Sequence, residues 1–313
     1  MKKISTINPA LVLLIGVISV SSASIFVRFA QINVPSLVIA TYRMTFATLL
    51  IIPFSLKAVK NEWHKLSRGK IILLVFSGFF LALHFASWIK SLELTNVASS
   101  VVLVTSTPLW VSIFSPLVLR EKIPLRAILS LLIAFGGTIL ISLGGNCKWI
   151  NLFHGWCDFS FSNVESEFVG NVLALLGALF ATCYVIIGRS VRKTLSLASY
   201  AFWVYGIAAV FLLLITIVRG KPLLGYSTIN YFWFLLLALI PQAIGHSCFN
   251  WALGVLPTFY VSITLLGEPI GSSLLAYLFL GEKPMNIEIT GGVLILIGIF
   301  FASLKQNFMK RTY

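Results

Sequence analysis

Residues 196–218 read SLASYAFWVYGIAAVFLLLITIV, and this stretch contains no charged residue. Its length matches the ~20 residues that an α-helix needs to cross the hydrocarbon core of a bilayer. A lipid-exposed segment must satisfy its backbone hydrogen bonds internally, and a helix does so within a single segment. The sequence therefore predicts a transmembrane helix over residues 196–218.

The rest of the chain repeats this pattern. Ten apolar runs of similar length cover most of the 313 residues: 8–29, 35–56, 70–91, 96–119, 123–143, 168–188, 196–218, 228–251, 256–280 and 286–304. Only 10% of the residues are charged and the mean hydropathy is +0.99, whereas soluble domains carry about 25% charged residues. We therefore expect an all-α polytopic membrane protein with ten transmembrane helices. The composition argues against a cytosolic enzyme, a disordered regulator, a nucleic-acid binder and an outer-membrane barrel.

Basic residues are distributed unevenly between the two sides that ten spans define. Of the 23 Lys and Arg residues, 16 fall on the side of the N-terminus, 5 on the other side and 2 within spans. Lys and Arg accumulate on the cytoplasmic side of membrane proteins. We expect both termini in the cytoplasm, and we attribute the net charge of +14 to topology. The basic start also resembles a cleaved signal peptide, but the internal repeat needs the first run as a helix.

The two halves of the chain match at an offset of 161 residues. The matching pairs are Arg28 with Arg189, Pro108 with Pro269, Glu121-Lys122 with Glu282-Lys283, Gly137 with Gly298 and, after a one-residue slip, His84 with His246. This predicts a first repeat over 1–143, an outer loop over 144–167 and a second repeat over 168–313. Five helices per repeat is an odd number, so the repeats are inverted. Inverted repeats are typical of secondary transporters, which bind substrate near the midplane between the repeats.

Several stretches resemble the EamA-type family of the drug/metabolite transporter superfamily. They are residues 21–29 (SSASIFVRF), 42–47 (YRMTFA), 120–122 (REK), 241–251 (PQAIGHSCFNW), 267–269 (GEP) and 280–283 (LGEK). The resemblance covers both halves and implies ten helices in a bacterial inner membrane. It also implies export or exchange of small metabolites, often amino acids, coupled to an ion or substrate gradient. It leaves the substrate open, and the long outer loop is not part of the family's common pattern.

Charged residues within spans are candidate site residues, because each costs at least ~2.5–3.5 kcal/mol unless it faces a cavity or a partner. Arg43 is expected to clamp a substrate carboxylate through two hydrogen bonds, or to form an ion pair between helices. Glu268 is expected to bind a substrate ammonium or to carry the coupling proton, with an ion pair to Arg43 or a bond to a backbone donor as the structural alternatives. Arg28 lies near the outer end of its span and is expected to extend to the interface.

Polar residues at helical spacing predict the faces that line a lumen. The stripes are Gln242, His246 and Asn250; Tyr260, Thr264, Glu268 and Ser272; and Ser77, His84, Trp88 and Ser91. The predicted substrate-binding residues are Arg43, His84, Trp88, Gln242, His246, Asn250, Tyr260 and Glu268, with Glu268 also the coupling residue. For the histidines, hydrogen bonding between helices is the alternative, and for the aromatic residues it is packing or an interface belt.

Other features concern the moving parts and the helix contacts. Pro108 and Pro269 interrupt equivalent spans and are predicted hinges for alternating access. Small residues at Gly170, Ala174, Ala178 and Thr182 allow close packing of repeat on repeat, or of two chains in a homodimer.

The four cysteines fall into two groups. Cys147 and Cys157 lie in the outer loop, where the compartment permits a disulfide. Together with His154 and Asp158 they match no standard zinc spacing, so neither a metal nor a cofactor is expected. Cys183 and Cys248 lie in spans and are expected to be ordinary core residues.

The sequence thus predicts a secondary active transporter, with a small molecule and the lipid bilayer as its partners. The alternatives are an exporter of drug-like cations, a passive facilitator and an intramembrane transferase using His84, His246 and Glu268. The transferase lacks a compact His/Asp motif at a membrane edge. The chain also lacks the phosphate-binding loop of ATPases and a potassium-channel filter.

Overall fold

The computed structural model describes residues 8–95, 97–144, 147–151, 154–157, 164–280 and 286–303. Within these residues, eight helical segments are long and apolar enough to cross a membrane: Pro9–Gln31, Ser36–Lys65, Arg68–Leu94, Ser100–Leu119, Ser166–Arg192, Leu197–Val218, Thr228–Leu253 and Thr258–Phe279. Two shorter apolar helices, at Leu125–Leu140 and Ile289–Ala302, complete the ten predicted segments. The prediction of an all-α, multi-pass membrane protein is confirmed.

The first five spans contain seven α-helices, because two spans are broken. The helices are α1 (Pro9–Ser21), α2 (Ala23–Gln31), α3 (Ser36–Glu62), α4 (Arg68–Leu94), α5 (Val97–Val104), α6 (Thr107–Leu119) and α7 (Leu125–Gly144), with a short 3-10 turn at Trp63–Lys65. At the α1–α2 break, the Ser22 hydroxyl donates to the carbonyl of Ser19 at 2.7 Å. Pro108 lies in the first turn of α6, where its missing N–H leaves no hydrogen bond unmade.

The second five spans repeat this plan with a different irregularity. They comprise α8 (Val164–Arg192), α9 (Leu197–Val218), α10 (Thr228–Leu237), a π-helix (Ala238–His246), α11 (Ser247–Leu253), α12 (Thr258–Thr264), a 3-10 turn (Leu265–Gly267), α13 (Glu268–Leu280) and α14 (Asn286–Ser303). Pro241 lies inside the π-helix. Pro269 is the second residue of α13, so Pro108 and Pro269 both begin the second half of a broken span.

Equivalent helices pack against each other across the two repeats. α3 packs on its counterpart α9, and α7 packs on its counterpart α14. α4 packs along α8, while α1 packs along the π-helix and α11, which are the counterparts of α4. This exchange of partners is the contact pattern that two structural repeats related by a pseudo-two-fold axis produce.

The stripe of small residues on α8 is used inside the chain. Ala174 and Ala178 are fully buried and Thr182 is almost so, and a side chain added at Gly170 would meet Thr95 at the end of α4. Close contact of small residues lets two helix backbones approach. The stripe therefore packs repeat on repeat.

Large apolar side chains cover the outside of the bundle. Phe54 is 81% exposed, Val218 84% and Leu117 74%. A soluble monomer rarely shows apolar surface on this scale, but lipid tails cover it in a membrane.

A two-stranded hairpin lies in the loop between the repeats. Its antiparallel strands are β1 (Cys147–Asn151) and β2 (His154–Cys157), and the register pairs Cys147 with Cys157. Directly opposed residues in antiparallel strands have Cα atoms roughly 4.5–5.5 Å apart, inside the ~4.4–6.8 Å range that disulfides require.

We expect Cys147 and Cys157 to form a disulfide in the protein isolated without reductant. Their pairing in the hairpin brings the two positions together, whereas Cys183 and Cys248 are free thiols in spans. Alkylation followed by mass spectrometry should label two cysteines before reduction and four after it. Four labelled cysteines before reduction would contradict the pairing.

Candidate functional site

A cavity of ≈ 70 Å³ lies between the two repeats. At roughly 10–15 Å³ per water on this measure, it has room for only a handful of waters. Its polar lining includes Arg43, His84, Trp88, His246, Asn250 and Glu268. Both repeats therefore contribute polar groups to one shared cavity.

The guanidinium of Arg43 on α3 has fixed contacts within the protein, but one of its nitrogen donors has no partner among the described residues. Its side chain is 1% exposed, and its Nε donates to the Oε1 of Gln242 at 3.1 Å. Its Cζ lies 4.0 Å from the centroid of the Phe85 ring, a distance typical of a cation–π contact. Within the described residues Nη1 has no hydrogen-bond partner. The guanidinium is thus fixed at Nε and on one face, and retains donors for an acceptor that the chain does not supply.

Glu268 brings the opposite charge to the same cavity. It is the first residue of α13, and its backbone carbonyl accepts a hydrogen bond from the Ser21 hydroxyl at 3.3 Å. Among the described residues, ion pairs within 4.0 Å join Lys65 to Glu62, Lys90 to Glu93 and Arg189 to Glu121. Arg43 and Glu268 do not form such a pair, although two opposite charges in a desolvated site gain most when paired. This arrangement leaves each charge available to a ligand.

The two repeat-related histidines both contact the Phe85 ring. His84 Nδ1 donates to the carbonyl of Gly177 at 2.9 Å, which leaves Nε2 as the acceptor of a neutral ring. His84 also stacks on Trp88, with centroids 6.2 Å apart. The His246 ring contacts Phe85 edge-to-face at 5.3 Å. Both histidines line the cavity.

A tyrosine network forms part of the opposite wall. The Tyr184 hydroxyl donates to Asn250 Oδ1 at 2.6 Å, and Asn250 Nδ2 donates to the Tyr205 hydroxyl at 3.2 Å. The Tyr205 hydroxyl also lies 3.2 Å from Ser247 Oγ. Tyr184 and Asn250 line the cavity. The network fixes the orientation of the Asn250 amide towards that space.

Sequence reasoning missed Tyr184 and Phe85. Tyr184 lies in the apolar run 168–188 outside the predicted polar stripes, and Phe85 is one of 25 phenylalanines. The sequence offers a signal only for Phe85, which directly follows His84 of a polar stripe, and its spacing does not single out Tyr184.

The structure brings six of the eight predicted binding residues to the cavity wall, and places the other two elsewhere. Gln242 is fully buried behind Arg43 and does not line the cavity. Tyr260 packs against Phe259 and the apolar cluster around α7 and α14. The serine members of the stripes join helices: Ser77 bonds Tyr200, Ser91 bonds Ser100, and Ser272 bonds the carbonyl of Ser21.

Comparison with known proteins places this geometry in a wider group. The sequence profile of the EamA-like transporter family matches residues 8–143 and 168–304 of this chain. The two matched segments correspond to the two sets of five spans, and the hairpin lies between them.

Similar proteins occur in bacteria and archaea. One is an uncharacterized transporter, YxxF, of Bacillus subtilis, 24% identical over 88% of this chain and 83% of the relative. Another is an uncharacterized transporter of Archaeoglobus fulgidus, 22% identical over 93% of this chain and 94% of the relative. A solved crystal structure superposes with a TM-score of 0.73 at 15% identity, covering 95% of this chain and 96% of that one. That likeness concerns the fold alone.

Proposed function

Because this chain belongs to the EamA-like transporter family, and so carries small molecules across a membrane rather than acting as an enzyme, we propose that its substrate is a small zwitterion. Amino acids and related compounds are the substrate class that fits best. The observation that carries the proposal is the presence of Arg43 and Glu268 in one cavity without an ion pair between them.

Each end of such a zwitterion has a partner. A carboxylate accepts from the free donors of Arg43, which can form two parallel bonds to it. An ammonium group donates to the Glu268 carboxylate. The substrate then supplies a countercharge to each of Arg43 and Glu268, and this offsets the cost of burying all four charges.

The size and remaining walls of the cavity favour a small cargo. A cavity that holds a handful of waters has about the volume that the non-hydrogen atoms of a small amino acid occupy. Val20, Ala23, Val104 and Val261 add apolar wall, which suits a short aliphatic side chain. Larger substrates require the helices to move apart.

We propose that transport proceeds by alternating access, in the direction of export or exchange. Glu268 is the proposed coupling residue, because a carboxyl that binds an ammonium in one step can bind a proton in another. Pro108 and Pro269 are the proposed hinges, since both begin the second half of a broken span. The excess of Lys and Arg on the side of the N-terminus in the sequence supports cytoplasmic termini, and the proposed location is the plasma (inner) membrane.

Flux into liposomes tests the proposal. Purified protein would be offered labelled amino acids, their decarboxylated amines and bulky organic cations, each with and without an imposed proton gradient. We expect small amino acids to accumulate only with the gradient. The Glu268→Gln variant should lose accumulation, and any exchange that remains would assign Glu268 to coupling rather than binding.

The other outcomes separate the competing functions. Accumulation of organic cations but not of amino acids would replace the zwitterion by a cation held at Glu268. Equilibration without accumulation, unaffected by Glu268→Gln, would indicate a passive facilitator.

A further inference from the structure

One carboxylate joins three helical elements at the end of the bundle that carries the α6–α7 and α8–α9 connections. We call this end, with Arg120, Lys122, Arg189, Arg192 and Lys193, the basic end. Glu121 follows α6, and its Oε1 accepts from Arg189 Nε on α8 at 3.0 Å. Its Oε2 accepts from the backbone N–H of Thr258 at 2.9 Å. That N–H begins α12, so the carboxylate also caps a helix N-terminus.

Arg189 extends the connection to a fourth helix. Its Nη1 donates to the carbonyl of Leu253, the last residue of α11, at 2.8 Å. Arg192, one turn further along α8, donates from Nε to the carbonyl of Asn250 at 2.9 Å. Cations that bond the last carbonyls of a helix are stabilised by its dipole. Charged groups therefore tie α6, α8, α11 and α12 together at the basic end.

These contacts lie one helical turn beyond the cavity wall. Val185 lines the cavity, and Arg189 follows it by four residues on the same face of α8. Leu253 also lines the cavity, and its carbonyl is the one that Arg189 bonds. Val261 lines the cavity on α12, three residues after the capped Thr258. A solute leaving the cavity towards the basic end would meet this cluster next.

We propose that the Glu121–Arg189 pair is a latch that closes the cavity at the basic end and opens once in each transport cycle. The pair connects the end of α6 in the first repeat to α8 in the second, and both helices line the cavity, so separation of these two helices has to break it. Its side chains are 14% and 15% exposed, which lets water replace the contact when the helices separate. The latch acts on the helices, whichever solute is carried.

A second carboxylate at the basic end provides a matched control. Glu62 Oε2 accepts from the backbone N–H and the hydroxyl of Ser196 at 2.9 and 3.0 Å. It thus caps α9 as Glu121 caps α12 and ties the two repeats together. The helix that it caps, α9, contributes no residue to the cavity wall, whereas α8 and α12 both do, so loss of Glu62 should leave access to the cavity unchanged.

Cysteine labelling tests the latch without a substrate. Val185→Cys would be placed in a background from which the four native cysteines are removed, with Lys122→Cys as the marker of an accessible basic end. Adding Glu121→Gln should raise the rate at which an impermeant maleimide reaches residue 185 from the basic end by about tenfold, as a shift of ~1.4 kcal/mol towards the open state gives. Glu62→Gln should leave the rate unchanged. Equal rates in all three backgrounds would overturn the proposal.

Crosslinking provides the second, independent test. In a Glu121→Cys/Arg189→Cys variant, a short cleavable bis-maleimide should stop transport, and cleavage of the linker should restore it. A static brace would give a crosslinked protein that still transports, and this result would overturn the latch. Because the labelling assay uses no substrate, failure of the zwitterion assignment and failure of the latch give different results.

Discussion

Replacing Arg43 by leucine should weaken transport of carboxylate-bearing substrates by on the order of 10²–10⁴-fold in kcat/KM. Breaking a buried charge pair by removing one partner costs about 3–5 kcal/mol, and each ~1.4 kcal/mol is a factor of ten. Arg43 is 1% exposed, so bulk solvent does not screen its contact with a carboxylate. Initial rates in liposomes, with folding checked by size-exclusion chromatography, measure the effect.

Two controls separate binding from structure. Arg28→Leu removes another arginine from a span, but one that is exposed, and should leave transport nearly unchanged. Arg43→Lys keeps the positive charge but lacks the planar guanidinium, which can donate to Gln242 and to a carboxylate at the same time. We therefore expect an intermediate decrease in kcat/KM. The Arg43→Leu variant should transport a decarboxylated substrate at nearly the same rate as the wild type does. An equal loss for both substrates would make Arg43 a packing residue.

The regular parts of this structure could be predicted from sequence because lipid imposes a simple rule. A span needs an apolar helix, so the ten runs correspond to ten helical segments. Pro108 and Pro269, which the repeat offset of 161 residues relates, lie next to two of the breaks. Arg43 and Glu268 could be predicted as cavity residues for the same reason, since a charge in a span needs a polar environment.

The exact set of cavity residues could not be predicted, because it depends on local departures from α-helical geometry. Spacing by four places Gln242 on the same face as His246 in an α-helix. The π-helix over Ala238–His246 has more residues per turn and changes this phase, so Gln242 meets Arg43 instead of the cavity. Tyr260 is predicted to share a helix face with Glu268 for the same reason. A 3-10 turn at Leu265–Gly267 lies between the two residues and changes the helical phase.

Gly137→Val and Gly298→Val should each destabilise the fold by about 1–3 kcal/mol or more, as overpacking of tight cores does. These repeat-related glycines lie where α7 crosses α14. A Cβ at Gly298 would lie 2.6 Å from both the Cβ of Ala134 and the carbonyl of Ser130. A Cβ at Gly137 would lie 2.9 Å from the backbone N of Ile295. Backbone atoms cannot rotate away, so the helices have to separate. Thermal unfolding in detergent, followed by loss of the monomer peak, measures the loss.

The neighbouring glycine provides the control for this crossing. A Cβ at Gly136 meets nothing within 4 Å, so Gly136→Val should be tolerated. Equal stability of the Gly136 and Gly137 variants would contradict a requirement for close approach. The double variant Gly137→Val/Gly298→Val should be destabilised by less than the sum of the two single effects on the free energy of unfolding. Both side chains force apart the same pair of helices. The cavity is lined by other helices, so any folded fraction of these variants should keep the substrate preference of the wild type.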